Sequence, residues 1–240
     1  MFPYDSQLLA LLQTSPQSIA DVLVTMQSIE SLTADGDGLK WFNWLYFQVT
    51  QAVEARVGAG GFNDPGFLSE LDVQFAQLYF NALKNFLSNA ALPDCWQTLF
   101  AARDRTALTR LQFAMAGINA HINHDLPCAL VATCKIESLA PQHGTTQYSD
   151  YTSLNSTLDS LIGEAKQTLN VRLLGAVLPD VAQLENTVAA WNVSAAREAA
   201  WDNSELLWHL SSEPLLSTAF LDNLDGLTTV VSKALLVPIP

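Results

Sequence analysis

The densest run of residues that can do chemistry extends from Asn119 to Asp125 and reads NAHINHD. It places two amides, two imidazoles and one carboxylate in a segment that is otherwise apolar enough for a protein core. Side chains four residues apart share one face of a helix, so His121 and Asp125 can act together. In one role Asp125 orients a neutral His121 as a general base; in another, both groups bind a divalent metal.

A helical projection divides this run around an apolar stripe. Successive residues of an α-helix turn by about 100°, which aligns Leu111, Met115, Ile118, Ile122 and Leu126. Asn119 and Asn123 flank the stripe on one side, and His121 and Asp125 flank it on the other. His124 falls nearly opposite the stripe, so the projection excludes it from the predicted site.

Pro127 changes the hydrogen bonding of the same segment. Proline has no N–H group, so the carbonyl of Asn123, one turn upstream, loses its helical donor. That carbonyl must bind water, a neighbouring side chain, a ligand or a metal instead.

Polar side chains also interrupt the helices that must surround the central one. The helix predicted for 39–57 has no charge between Lys40 and Glu54, yet it carries Asn43, Tyr46 and Thr50 at i, i+3 and i+7. Asp72 is the last charge before Lys84 on the helix predicted for 65–88. A buried, paired carboxylate is typical of a functional site. The alternative for the polar residues is that they tie neighbouring helices together.

The C-terminal half contains a second group of candidates. On a helix predicted for 195–210, Arg197 and Trp201 share one side, where they either clamp an anion or pack in the core. The preceding segments are predicted to be a polar loop at 141–153, a helix at 154–174 and a helical stretch at 180–191. The patch Arg103-Asp104-Arg105 is interpreted as a solvated turn.

Composition limits the class of protein. The 240 residues are 49% hydrophobic and 15% charged, with a formal net charge of −13 at pH 7. Proteins that bind nucleic acids or anionic membranes usually carry clusters of Lys and Arg. This chain lacks such clusters, so neither partner is expected. No apolar run approaches the roughly 20 residues of a membrane span. The three cysteines form no CxxC motif, which indicates free thiols and a cytoplasmic location.

The periodicity predicts a single all-α domain over residues 1–240, because helical spacing recurs throughout and no strand alternation interrupts it. Its parts are N-terminal helices at 1–35, a core at 39–210 and a C-terminal extension at 211–240. A buried central helix at about 106–126 bears the polar run.

Three parts of the chain resemble an uncharacterised bacterial family labelled domain of unknown function 5995: Gly38–Thr50, Phe62–Pro65 with Leu71–Phe80, and Gly117–Pro127. The resemblance covers 39–210, and its most specific part is N-A-H-I-N-x-D-L-P. It implies a family without an established function, so it supports the choice of residues and not the chemistry. The family's polar pattern leaves the position of His124 open, and it usually has Cys where this chain has Trp41.

The functional prediction is an enzyme of the hydrolase, lyase or cyclase type that acts on a small apolar molecule in a polar pocket. His121, Asp125 and Asp72 are the predicted catalytic residues and also the candidate ligands for a divalent metal. The residues predicted to bind substrate, all matching the family's polar pattern, are Asn43, Tyr46, Thr50, Asn119, Asn123, Arg197 and Trp201. Two alternatives are a non-catalytic protein that binds a hydrophobic small molecule and a purely structural polar network.

Overall fold

A computed structural model describes residues 2–171 and 192–238, and the regular secondary structure in these ranges is helical. The helices are α1 (Asp5–Leu11), α2 (Ile19–Leu32), α3 (Gly38–Gly58), α4 (Pro65–Leu87), α5 (Asp94–Ala101), α6 (Arg110–Ala120), α7 (Leu126–Ile136), α8 (Thr146–Ser153), α9 (Asn155–Val171), α10 (Val193–Leu210) and α11 (Pro214–Leu235). The all-α fold class is thereby confirmed. The helical stretch predicted for 180–191 and the end of the helix predicted for 154–174 lie outside the described residues.

Capping side chains set where the site-forming helices begin. The Thr109 hydroxyl accepts the N–H of Gln112 at 3.2 Å, and the Gln112 side chain accepts the N–H of Thr109 at 3.0 Å, which completes a capping box. The central helix therefore begins at Arg110, four residues after the predicted start. Asp64 caps α4 in a similar way by accepting the N–H of Phe67 at 3.1 Å.

Close packing between α3 and α6 brings the aromatic side of α3 against the central helix. A Cβ atom at Gly117 would collide with the ring of Phe42, and one at Gly38 would collide with the ring of Phe113. Only glycine leaves room for an aromatic ring this close to the helix backbone. Phe42 and Tyr46 are consequently 1% and 4% exposed and lie beside the polar run.

The polar run forms a π-helical turn, His121–Asp125, between α6 and α7. The N–H of Leu126 donates to the carbonyl of His121, five residues earlier. Pro127 accounts for this wider turn, because its ring would crowd the carbonyl four residues before it and it offers no N–H to that carbonyl. A projection at 100° per residue therefore fails beyond Ala120. The exclusion of His124 rested on that projection.

A buried ion-pair network joins the N-terminal segment to the α5–α6 connection. Arg103 is 4% exposed and binds two buried carboxylates, Asp37 and Asp5. Asp37 also caps α3 by accepting the N–H of Leu39 at 3.0 Å, and it accepts the hydroxyl of Tyr4. The interpretation of residues 103–105 as a solvated turn is wrong for Arg103, because the two aspartates that pair with it lie far away in sequence.

The segment predicted as a polar loop at 141–153 contains helix α8. The hydroxyl of Thr145 accepts the N–H of Tyr148 at 3.2 Å and starts this helix. Asp150 then accepts the backbone N–H groups of Asn63 and Asp64, which attaches α8 to the beginning of α4. In the described ranges, no helix has the length and apolar character needed to cross a membrane.

Candidate functional site

The carboxylate of Asp125 is the centre of a buried hydrogen-bond network. Its Oδ2 lies 2.9 Å from Nε1 of Trp96 and 3.0 Å from Nδ1 of His121. Its Oδ1 lies 2.8 Å from Nδ1 of His124. Asp125 and His121 are each 2% exposed, so these contacts replace most of the water that a carboxylate would otherwise bind.

Burial opposes charge on all three titratable groups of this network, with different outcomes. For His121, burial outweighs the attraction of Asp125 and lowers the pKa of the imidazole. For His124, burial acts in the same direction, but the hydrogen bond and charge of Asp125 outweigh it and raise the pKa. Burial alone would raise the pKa of Asp125, yet the hydrogen bonds from both histidines lower it. The carboxylate is therefore ionised, His121 is neutral, and His124 is the first of the two histidines to take up a proton.

The ring of His121 is held on several sides by aromatic side chains. Phe75 stacks on it with ring centroids 3.4 Å apart and an angle of 6° between the planes. Tyr46 approaches edge-on at 4.4 Å between centroids. With Nδ1 held by Asp125, the lone pair of the neutral ring is on Nε2. Nε2 is buried and has no hydrogen-bond partner.

His121 lines a cavity of about 50 Å³ between α3, α4, the central segment, α9 and α10. Apolar side chains make up most of the wall: Phe42, Leu45, Val49, Phe75, Ile118, Ile122, Leu158, Ile162 and Val193. The polar groups in the wall are His121, Tyr46 and Arg197. The cavity is thus mainly apolar, whereas the sequence predicts a polar pocket.

Asp72 lines an adjacent cavity of about 40 Å³, which shares Tyr46, Phe75 and Arg197 with the first. Burial, assisted by the negative charge of Glu54, raises the pKa of Asp72 to about 8. Its Oδ2 is buried without a hydrogen-bond partner. Burial thus favours the protonated form of Asp72 at neutral pH, close to the His121 cavity.

Arg197 lies between the two cavities and is 6% exposed. Its Nε donates to Asn155 at 2.8 Å, and its Nη2 donates to the carbonyl of Tyr151 at 2.8 Å. The guanidinium also stacks over the ring of Tyr151. In the described part of the chain no carboxylate pairs with it, so a buried positive charge is available beside the cavities.

One family model matches residues 19–238 and is described as a family of unknown function, DUF5995. The chain belongs to DUF5995. The match extends beyond 39–210 at both ends, since it takes in α2 and all of α11. No curated protein and no solved structure matches the chain significantly. Family membership therefore assigns no chemistry, which has to be argued from the geometry of the site.

Several predicted substrate-binding residues of this DUF5995 chain connect helices away from the two cavities. Asn43 donates to the carbonyl of Met26 at 2.9 Å. Asn119 donates to Thr228 and Ser232 of α11, and Asn123 donates to Asn119 at 2.8 Å. The side chains in this group outside both cavity walls are Asn43, Thr50, Asn119, Asn123 and Trp201.

Trp201 is fully buried and donates to Glu205 at 3.2 Å. It packs against Tyr148 and Tyr151, with ring centroids 5.1 and 4.9 Å away. Trp201 therefore packs against the same Tyr151 ring over which the Arg197 guanidinium stacks. Unlike Arg197, it does not line either cavity.

Potential metal ligands of the DUF5995 chain gather at a different place. Among the described residues, three ligand atoms come within 4.8 Å of one another at His143, Glu198 and Asp202, on the surface. Around His121 the described residues form no such group, and both oxygens of Asp125 there accept hydrogen bonds. The donor set at His121 therefore favours acid–base chemistry over metal binding.

Three residues of the site are absent from the sequence-based prediction. Trp96 and Phe75 come from α5 and α4, and no local spacing links them to His121. His124 is adjacent to Asp125 in sequence, but the helical projection assigned it to the wrong side. The signal that could have restored His124 is Pro127, since a proline within a helical pattern commonly accompanies a distorted turn upstream.

Proposed function

We propose that the protein is an enzyme that transfers a proton on a small, largely apolar molecule. His121 Nε2 accepts the proton, and Asp125 orients the imidazole. The observation that supports this assignment is a buried Nε2 without a partner at an apolar cavity, opposite an Nδ1 that is held by an ionised carboxylate. A buried acceptor without a donor destabilises the protein. The missing donor is the acidic proton of a substrate, or a water that the substrate displaces.

The network around Asp125 suits the charge that develops during such a transfer. When Nε2 takes up a proton, an imidazolium forms with its Nδ1 3.0 Å from the Asp125 carboxylate, which stabilises the new charge. The lowered pKa of His121 keeps the base unprotonated at neutral pH and makes its conjugate acid able to return the proton. The described residues of the cavity wall include no Ser, Cys or Thr, so a lyase- or cyclase-type reaction fits better than hydrolysis through a covalent intermediate.

The size of the cavity restricts the substrate. Its volume of about 50 Å³ is well below the ~300 Å³ of an ordinary ligand pocket. A substrate of more than a few heavy atoms therefore requires movement of the wall. Phe75 and Val49 are the partly exposed members of the wall near His121, and displacement of the Phe75 ring would join the two cavities. Arg197 and Tyr46 would then bind a polar group of the substrate.

The test compares wild type with His121→Gln and Asp125→Asn in turnover of small ketones, esters and alkenes, followed by NMR in D2O. We expect His121→Gln to lower turnover by about 100-fold or more, the usual contribution of a general base. Wild-type activity should fall as the pH drops through the lowered pKa of His121. The exposed His209→Gln is the matched control and should retain full activity. A folded His121→Gln protein with undiminished turnover would refute the proposal.

A second candidate function is the binding of a hydrophobic molecule without turnover. It is favoured by the apolar character of the cavity wall, in which nine of the twelve lining side chains are apolar. Mass spectrometry of ligand released from the purified protein distinguishes the two functions. An apolar molecule that co-purifies with wild type and with His121→Gln, and that neither protein alters, would favour binding alone.

A further inference from the structure

Helix α11 places polar residues against the protein, beside the buried Leu235, and leaves several large apolar side chains exposed to solvent. Thr228 and Ser232 are buried, and the Asn119 amide of α6 donates to the backbone carbonyl of Thr228 and to the hydroxyl of Ser232. Asp225 accepts two backbone N–H groups at the start of α5, at 2.7 and 2.9 Å. A helix whose only role is to cover its own core has the opposite arrangement, with its apolar stripe inside.

The outward side of α11 carries a heptad pattern. Its residues are spaced by four, three, four, three and four positions, and we name them the α11 seam: Leu216, Phe220, Asn223, Leu227, Val230 and Ala234. Leu227 and Val230 are 70% and 66% exposed, and Leu216 is 56% exposed. Alternation of three and four residues is the pattern by which one helix pairs with another along its length. Contact with water does not by itself favour regularly spaced apolar residues on an exposed side of a helix.

We propose that the α11 seam pairs with the α11 seam of a second copy of this chain, in an antiparallel, two-fold symmetric dimer. A self-complementary apolar stripe meets the requirement of a two-fold interface, in which the same patch serves both subunits. The pairing is centred between Leu227 and Val230, the most exposed large apolar residues of the seam. In this register residues 222–235 of the two helices overlap, over about 21 Å, and Leu216 and Phe220 extend past the end of the partner helix.

The charges beside the seam determine the direction of pairing. Asp222 and Lys233 are exposed and flank the seam on the same edge. In an antiparallel pair the same edges of the two helices face each other, so Asp222 of each copy comes beside Lys233 of the other. A parallel pair would bring each of these charges to the opposite, apolar edge of the second helix.

The charge distribution also favours a protein partner over a lipid surface. Helices that lie on membranes usually carry several Lys or Arg residues on their polar side. Helix α11 has one, Lys233, in a chain with a formal net charge of −13. Anionic headgroups would repel such a chain.

The first test is the mass of the full chain by sedimentation velocity and light scattering, at concentrations between about 1 and 100 μM. Wild type should approach twice the monomer mass as concentration rises. Leu227→Asp should raise the dimer Kd by about 100-fold or more, because it places two carboxylates near the two-fold axis. Leu227 is mostly exposed in the single chain, so the circular dichroism and melting temperature of the diluted variant should match those of wild type.

The matched control is Val24→Asp, which introduces the same charge at an apolar residue of α2 that is 63% exposed and lies outside the seam. It should leave the dimer Kd unchanged. Equal effects of the two variants would refute the assignment of the interface. A wild-type chain that stays monomeric at every concentration would also refute the proposal. This holds even if the monomer binds neutral phosphatidylcholine vesicles in a flotation assay.

Charge reversal tests whether the two α11 helices pair in the antiparallel direction. Asp222→Lys and Lys233→Asp should each raise the dimer Kd by about three- to tenfold, because each places like charges together. The double variant Asp222→Lys with Lys233→Asp should recover the wild-type Kd, since both salt bridges re-form with reversed sign. Failure of the double variant to recover would overturn the antiparallel pairing.

Discussion

The imidazole of His121 and the phenyl ring of Phe75 lie parallel, with their centroids 3.4 Å apart. Phe75 is partly exposed, whereas His121 is buried, so the phenyl ring separates the imidazole from solvent. This stack has two effects. It fixes the orientation of the ring that Asp125 also holds, and it maintains the dry surroundings that lower the pKa of His121.

Removal of the stack should therefore be visible in the titration of His121. In Phe75→Ala, water can reach the imidazole, the cost of charging it falls, and its pKa should rise toward the ordinary value of 6.5. NMR titration of the histidine ring protons measures the change. Phe86→Ala is the matched control, because Phe86 is also a partly buried phenylalanine of α4 but packs against Phe100. An equal change in both variants would mean that the stack does not set the pKa.

Trp96 should stabilise the protein through its hydrogen bond to Asp125. Trp96→Phe removes the indole N–H from a buried carboxylate, and we expect a loss of about 1–3 kcal/mol in the free energy of unfolding at pH 7. The lowered pKa of Asp125 stabilises the folded state above pH 3.8, and this contribution is lost as the pH falls through the folded-state pKa. The difference between variant and wild type should therefore shrink in acid.

Urea denaturation at several pH values measures this effect. Trp201→Phe is the control, since its indole donates to Glu205, which is partly exposed to water. If Trp201→Phe destabilised the protein more than Trp96→Phe did at pH 7, the predicted contribution of the Trp96–Asp125 hydrogen bond to the free energy of unfolding would be wrong.

Asp72 should destabilise the folded protein at neutral and alkaline pH. The folded state keeps Asp72 protonated up to a pKa of about 8, whereas an unfolded aspartate ionises near 3.8. The folded state thus binds more protons between these values, so its stability falls as the pH rises through that range. Asp72→Asn should remove this loss and raise the free energy of unfolding at pH 8 by a few kcal/mol.

The measurement is the melting temperature of wild type and Asp72→Asn between pH 4 and pH 8. The two curves should diverge as the pH rises. Asp104→Asn, at an exposed site, should follow wild type throughout. Parallel curves for wild type and Asp72→Asn would contradict the raised pKa.

Arg103 should be among the residues most important for stability. Arg103→Met leaves the carboxylates of Asp5 and Asp37 buried without their cation, and we expect a loss of about 3–5 kcal/mol in the free energy of unfolding. Arg103→Lys should recover only part of it, because a single ammonium cannot reproduce the planar arrangement of guanidinium donors. The exposed Arg105→Met should change stability by less than about 1 kcal/mol. Similar losses at the two arginines would contradict the buried network.

Local spacing in the sequence determined much of the fold. Helices α3 and α4 end within one residue of their predicted limits, because capping residues and glycines mark where helical hydrogen bonding begins and ends. The contact between His121 and Asp125 was also predictable, since four residues bring two side chains to the same side of a helix. Burial of the central segment followed from its lack of Lys and Glu.

The tertiary structure alone decided what surrounds that pair. Trp96 and Phe75 reach His121 and Asp125 from helices whose relative placement depends on packing between distant parts of the chain. The same packing directs Asn119, to which Asn123 donates, toward α11 and leaves an apolar cavity where a polar one was expected. The sequence contains Pro127, but the 100° projection does not include the distortion that this proline causes upstream. The result is a π-helical turn that brings His124 onto the second oxygen of Asp125.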